Sequence, residues 1–243
     1  MAAPLTFIGL HYWAGSGRAF QHVARRLAPE YSFLAPDLGG FGGAPAPPQG
    51  FSVDAYARQI TAFVAQHSLT RYVLVGHSMG GKIALALAAN QPPGLVGVAL
   101  LSPSPPTPEP MTDEGRAASL KAFGKKDSAE NTLRHITAQP LPAEDQAQIL
   151  HDNLHSSRPA WEAWLLHGSR ENIAGRLGNI IVPCLLLAGD RDEVMSPSVH
   201  GLETLPLLPP GTPLEIIGGA GHLLPYEAPG EVAEQLRAFA SRL

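Results

Sequence analysis

The chain has 243 residues, 44% of them hydrophobic and 16% charged, with a formal net charge of -4. This length suits one α/β domain carrying an insertion better than two independent domains, and the apolar fraction supports a sizeable core, against wholesale disorder. A negative balance without any basic run argues against nucleic acid and an anionic membrane surface as partners.

Short apolar runs alternate with longer helical patterns. Leu5 to Leu10 predicts a strand, Arg18 to Ala28 a helix, and Tyr31 to Ala35 a second strand closed by Pro36-Asp37 and a glycine-rich turn. Val53 to His67 carries apolar residues at Ala57, Ile60, Phe63 and Val64, the spacing of an amphipathic helix. Tyr72 to Val75 is the third predicted strand, followed by a buried helix rich in Ala, Leu and Ile over Met79 to Ala89. Leu95 to Leu101, Cys184 to Ala188 and Leu214 to Ile217 complete the strands, and Gly230 to Leu243 is the last helix. This alternation implies an α/β fold. Its mostly parallel sheet, of about six strands, is covered by helices on both faces and collects chemistry at the carboxyl ends of the strands.

The alternation stops between Pro103 and Leu177. That stretch predicts helices at Arg116 to Phe123, Ser128 to Thr137, Ala143 to Leu154 and Pro159 to Leu166. Roughly 70 residues is too long for one crossover. The expected organisation is therefore a core of residues 1–102 and 178–243, interrupted by a helical cap, 103–177, above the active edge of the sheet. Proline clusters at Pro45 to Pro48, Pro103 to Pro110, Pro140 to Pro142 and Pro206 to Pro213 mark connections between elements, and no internal repeat is present.

Met1 to Leu10 has no basic residue before its apolar stretch, unlike a signal peptide, and no run reaches the roughly 18 apolar residues of a membrane span. The single cysteine, Cys184, excludes an intramolecular disulfide framework and fits a reducing compartment. The expectation is a cytoplasmic protein without a membrane partner, monomeric or homodimeric.

Gly76-His77-Ser78-Met79-Gly80 fits G-x-S-x-G, and it follows a predicted strand and opens a predicted helix. So tight a turn holds its central residue at positive φ and brings strand and helix close together, which requires small residues two before and two after. Gly76 and Gly80 supply them, with Gly81 relieving the helix side further. Free N–H groups at the helix start favour developing negative charge. The bland alternative for Ser78 is a helix N-cap in a glycine-rich turn. A phosphate loop fits poorly, because no G-x-x-x-x-G-K-[ST] is present and Lys82 is followed by Ile83.

A serine nucleophile needs a base. Among ten histidines, His222 stands out in Gly218-Gly219-Ala220-Gly221-His222, directly after the last predicted strand, although a surface loop histidine would look the same. The acid is expected between the two in chain order, at another strand end. Asp190 and Asp192 both follow the strand Cys184 to Ala188. Asp192 is the choice, with Asp190 bonding within the turn and Glu193 a distant third. No carboxylate follows the fourth strand closely at Ser102-Pro103-Ser104. The oxyanion of an acyl-transfer intermediate would be met by the backbone N–H of Met79 and that of Trp13, in the loop after the first strand. Tyr12, Trp13 and His77 are expected to line the pocket, with the Met79 side chain and, from the cap, Trp161 and Trp164. Either tryptophan could equally anchor its helix. His11 is read as a structural histidine bonding the loop backbone.

These motifs together resemble the α/β-hydrolase superfamily. His11-Tyr12-Trp13-Ala14-Gly15-Ser16 resembles its H-G-x-P-G-S oxyanion loop, and Pro36-Asp37-Leu38-Gly39-Gly40-Phe41-Gly42 its P-D-x-x-G-x-G turn. His77 to Gly81 resembles the H-S-M-G-G elbow of small carboxylesterases, Gly189 to Asp192 the acid turn, and Gly221-His222 the base loop. Tyr12 departs from the family's glycine, and the chain begins at what resembles the third strand of the full fold. The resemblance implies a Ser-His-Asp hydrolase without cofactor or metal, acting on a small ester, thioester or lactone. Serine at the elbow excludes the aspartate-dependent dehalogenases and epoxide hydrolases. C–C bond hydrolases, perhydrolases and non-catalytic binding proteins on the same fold stay open. His151 and His155 lie at i and i+4 on a predicted helix, superficially like H-E-x-x-H. No third ligand is evident, and exposed cap histidines are the preferred reading.

Overall fold

The computed structural model describes residues 3–243. Met1 and Ala2, which open the stretch weighed against a signal peptide and the expected first core segment, lie outside the described residues. Six strands form one sheet: β1 (Thr6–Leu10), β2 (Ser32–Leu34), β3 (Tyr72–His77), β4 (Leu95–Leu101), β5 (Cys184–Gly189) and β6 (Leu214–Ile217). Their order is β2-β1-β3-β4-β5-β6, and every neighbouring pair is parallel.

The chain steps outward from β1 to β2 and then crosses back to β3 on the other side of β1. That reversal opens a crevice at the carboxyl ends of β1 and β3, where ligands collect in open α/β sheets. The register is tight there: Gly9 lies opposite Val75 and Leu10 opposite Gly76.

Along β1, β3 and β5 every residue is buried, because both faces of the sheet are covered. Side chains alternate between two cores. Ile8, Leu10, Leu74 and Leu186 pack with α2 (Val53–Gln66) and α3 (Met79–Ala88). Phe7, Val73, Val75, Leu185 and Leu187 pack with α1 (Gln21–Leu27) and α10 (Pro229–Ala240). Each fully buried aliphatic or aromatic side chain contributes about 1.5–3 kcal/mol.

Between β4 and β5 lie α4 (Asp113–Ala122), α5 (Lys126–Ile136), α6 (Ala143–Leu154) and α7 (Arg158–Leu166). Side-chain caps set where two of them begin: Thr112 Oγ1 accepts from the Gly115 N–H, and Ser157 Oγ from the Ala160 N–H. Two of the contacts that tie these helices to the core involve His222 and Asp152. The His222 N–H donates to the Ile136 carbonyl at the end of α5 (2.9 Å). On α6, the buried Asp152 carboxylate accepts from Ser16 Oγ and from the Arg18 guanidinium, both at 2.6 Å.

Among the short helical stretches that escape the sequence patterns are two near the carboxyl end of the chain. One runs through α8 (Pro197–Val199), a π turn (His200–Thr204) and a 3-10 turn (Leu205–Leu207); the other is α9 (Leu224–Glu227). Both are too short to show a helical period and contain proline. No described helix is long and apolar enough to cross a membrane.

Candidate active site

Ser78 sits between the end of β3 and the first turn of α3 with φ 52° and ψ -119°. A non-glycine residue in that region is strained and persists only where its surroundings over-determine it. Here those surroundings are glycines. A Cβ on Gly76 would lie 2.6 Å from the Gly80 carbonyl oxygen, and one on Gly80 would lie 2.1 Å from the Leu10 carbonyl oxygen. The Ser78 carbonyl is fastened by the N–H groups of Gly81 (2.8 Å) and Ser104 (2.9 Å). The hydroxyl is thereby left to point into the crevice.

His222 reaches Ser78 from the loop after β6. Its Nε2 is 2.9 Å from Ser78 Oγ, and its Nδ1 is 2.8 Å from Asp192 Oδ2. A carboxylate accepts, so Nδ1 carries the proton and Nε2 is the free base toward the hydroxyl. Asp192 Oδ1 accepts the N–H groups of Val194 (2.9 Å) and Met195 (2.8 Å). Burial alone would raise the Asp192 pKa. The charge that His222 carries when protonated, its hydrogen bond, the Met195 N–H and the Ser102 hydroxyl outweigh it and bring it down to about 2. Asp192 is therefore a fixed anion under the imidazole. Asp190 is exposed and bonds elsewhere: its Oδ1 accepts the Gly219 N–H at 2.7 Å. Glu193 points outward, its side chain 75% exposed.

The loop after β1 turns tightly, with Ala14 at φ 63° and the Gly15 N–H on the Tyr12 carbonyl (3.1 Å). His11 holds it from below. The Leu38 N–H donates to His11 Nε2 (2.9 Å), so Nδ1 donates to the Tyr12 carbonyl (2.8 Å), and burial lowers the pKa of the ring, favouring this neutral form. Among the described residues, the backbone N–H groups of Trp13 and Met79 have no protein acceptor.

A cavity of about 460 Å³ opens above Ser78 and His222. Tyr12, Trp13 and Trp164 line it, together with Met111 before α4, Leu133 on α5 and Ile149 on α6. Three pocket expectations are corrected. His77 is fully buried beneath the crevice and donates Nε2–H to the His222 carbonyl at 2.8 Å. Burial first, and then the charge His222 carries when protonated, lower its pKa to about 3, so it is a neutral donor. Trp161 does not reach the cavity. It stacks on Trp13 at 4.1 Å between ring centres and donates its indole N–H to the Ser119 carbonyl (3.1 Å), anchoring α7 to α4. The Met79 side chain turns into the core between α2, α3 and the sheet.

One acidic residue in the cavity wall escaped the sequence reading. Glu109 follows the end of β4 by eight residues, inside the proline-rich stretch, and folds back beside the elbow. Ser104 Oγ donates to its Oε1. Nothing in the local pattern marks it, since only the path of the prolines returns it to the crevice. Behind it, Lys82 of α3 is buried and gives its ammonium protons to the carbonyls of Thr107 (3.0 Å) and Glu171 (2.8 Å). His151 and His155 are exposed and stacked at 4.0 Å, and His155 Nδ1 is bonded to the His151 carbonyl. Among the described residues, no group of three potential ligands surrounds a metal position.

The profile of the Alpha/beta hydrolase family matches residues 8–235. A 2-succinyl-6-hydroxy-2,4-cyclohexadiene-1-carboxylate synthase from Serratia proteamaculans is 31% identical over 96% of this chain and 91% of its own length. A pimeloyl-[acyl-carrier protein] methyl ester esterase from Chromobacterium violaceum is 32% identical over 76% of this chain and 75% of its own. Among solved structures, an esterase from Exiguobacterium antarcticum superposes with a TM-score of 0.89 at 21% identity, covering 99% of this chain and 93% of that one. The chain belongs to the α/β-hydrolase family.

Proposed function

We propose that this protein hydrolyses a small carboxylic ester through an acyl-enzyme on Ser78. The observation that carries the reading is the continuous path from Ser78 Oγ to His222 Nε2 (2.9 Å) and from His222 Nδ1 to Asp192 (2.8 Å), opening on the cavity. In the first half-reaction His222 Nε2 takes the hydroxyl proton as Ser78 Oγ bonds to the ester carbonyl carbon. The carbonyl oxygen becomes an oxyanion facing the free N–H groups of Trp13 and Met79, each such donor worth about 3 kcal/mol of transition-state stabilisation. The C–O bond to the alcohol then breaks, and His222 returns the proton to the departing oxygen. Water, deprotonated by His222, attacks the acyl carbon; the acid leaves and the Ser78 hydroxyl is restored.

Residues 103–177 act in this proposal as a lid, since that segment brings most of the apolar wall. A second reading comes from the Serratia synthase, whose named product carries a carboxylate. The residues lining the cavity include no lysine or arginine to hold such a group, and they do include Glu109. That favours an uncharged ester.

The test is a hydrolysis screen over p-nitrophenyl esters of increasing chain length, aryl esters, lactones and thioesters, with wild type and Ser78→Ala side by side. Turnover abolished by the substitution is expected, together with fluorophosphonate labelling of Ser78. An unlabelled serine and no turnover would leave a binding protein on this fold.

A further inference from the structure

We infer that Glu109 is the polar anchor of the substrate cavity: its free carboxyl oxygen hydrogen-bonds, as a neutral acid, to an acceptor oxygen carried on the otherwise apolar chain of the ester. The inference deepens the ester-hydrolase reading and rests on it for the orientation of the bound molecule.

The geometry is specific. Ser104 ties the side chain to the elbow, because its N–H donates to the Ser78 carbonyl while its hydroxyl donates to Glu109 Oε1. One carboxyl oxygen is thus occupied. The other, Oε2, has no partner among the described residues and is not sealed off, while the residue as a whole is only 9% exposed. Its opening is the cavity wall that also carries Ser78 and His222. The same cavity is lined by the apolar Pro110, Met111, Trp164 and Leu165, with Ser119, Thr132 and Asn153 as polar members.

A carboxyl group in such a place prefers its neutral form, because burial penalises the anion. Burial is the largest influence on Glu109 and raises its pKa. The Ser104 hydroxyl and the positive fields of Lys82, His222 and Arg116 pull the other way and are outweighed. Lys82 cannot neutralise it by contact, since its ammonium is committed to the Thr107 and Glu171 carbonyls. With Oε1 accepting from Ser104, a proton held by the acid sits on Oε2, the oxygen left for a ligand. The matching ligand group is an acceptor without a proton to give: a ketone, ether or second ester oxygen. A carboxylate would be repelled once Glu109 ionised, and a plain alkyl chain would leave the donor unpaired, which is costly in a dry site.

The test uses pairs of esters matched in length, one with an alkyl acyl chain and one with an oxo or ether oxygen replacing a methylene at positions three to six. Binding is read by calorimetry in the Ser78→Ala background, so it does not depend on turnover. For at least one position the oxygenated ester is expected to bind about five- to tenfold more tightly. Adding Glu109→Gln, a neutral donor of similar shape, keeps the preference, and adding Glu109→Leu reverses it. In the Ser78→Ala protein alone the preference fades as pH rises through the ionisation of Glu109; with Glu109→Gln it does not. No preference at any position, or a preference unchanged in Glu109→Leu, overturns the inference. A preserved preference in a protein whose wild type hydrolyses no ester would overturn the hydrolase reading and leave the anchor standing.

Discussion

His77 donates Nε2–H to the backbone carbonyl of His222 across 145 residues of chain, at 2.8 Å. The residue beside the elbow serine therefore holds the loop after β6 by its main chain. Replacing it with phenylalanine would leave a buried carbonyl unpaired, a cost of about 1–3 kcal/mol. We expect His77→Phe to lower the thermal midpoint and to slow fluorophosphonate labelling of Ser78 at least tenfold, about 1.4 kcal/mol in the barrier, with little change in KM. Labelling kinetics at fixed pH check this; an unchanged rate would show that the carbonyl bond does not position the base.

The two aspartates of the acid turn should separate sharply. Asp192→Asn removes the anion and offers His222 the wrong tautomer, and a loss in kcat on the order of 10⁴-fold is expected. Asp190→Asn retains an acceptor for the Gly219 N–H on an exposed loop and should change kcat by less than about threefold. Steady-state kinetics on any ester the wild type turns over decide the order.

Gly80 has no room for a methyl group. Gly80→Ala would place Cβ 2.1 Å from the Leu10 carbonyl oxygen, main chain against main chain. Relief requires moving β1 or α3, and destabilisation of about 3 kcal/mol or more is expected, visible in urea unfolding. Gly43, at φ 95°, has open space where a methyl group would stand, with nothing within 4 Å, so there Ala costs only backbone strain, about 1–2 kcal/mol.

Asp152 joins α6 to the loop that carries the Trp13 N–H. Its side chain is 1% exposed and takes Ser16 Oγ and Arg18. Asp152→Ala strands the buried Ser16 hydroxyl, and we expect a loss of about 1–3 kcal/mol in stability. A fall in kcat exceeding any rise in KM should accompany it if the tie holds the oxyanion loop. Circular dichroism melts and ester kinetics measure the two effects separately.

Acid should destabilise the protein through buried imidazoles. Burial lowers the His200 pKa to about 4, although Asp192 nearby pulls upward, and lowers that of His77 to about 3. Both folded values lie below the ordinary histidine value near 6.5. Below pH 6.5 the unfolded chain therefore binds protons that the folded chain refuses, and stability falls from there down to about pH 3–4. Among the described residues neither ring nitrogen of His200 has a hydrogen-bond partner, so His200→Leu should cost little at pH 7 and should flatten the slope of urea midpoint against pH. An unaltered slope would exclude His200 as a contributor.

Much of this molecule is legible in one dimension. The strands read as apolar runs because a sheet covered on both faces needs no polar alternation. The elbow reads as glycines at fixed spacing because backbone meets backbone there. Ser78, Asp192 and His222 could be nominated because each follows a strand, and parallel strands bring their carboxyl ends to one edge. Which way a side chain turns at that edge was decided by packing. His77 went under the base loop, Trp161 against Trp13, and Met79 into the core, though all three lie within a turn of residues that do face the cavity or pair with ones that do. Glu109 shows the limit most clearly: its place beside the elbow depends on a proline-rich path between β4 and α4, and a path has no period to read. Sequence patterns report local geometry and burial, whereas the contacts of the cavity wall arise only when elements distant in the chain close on one another.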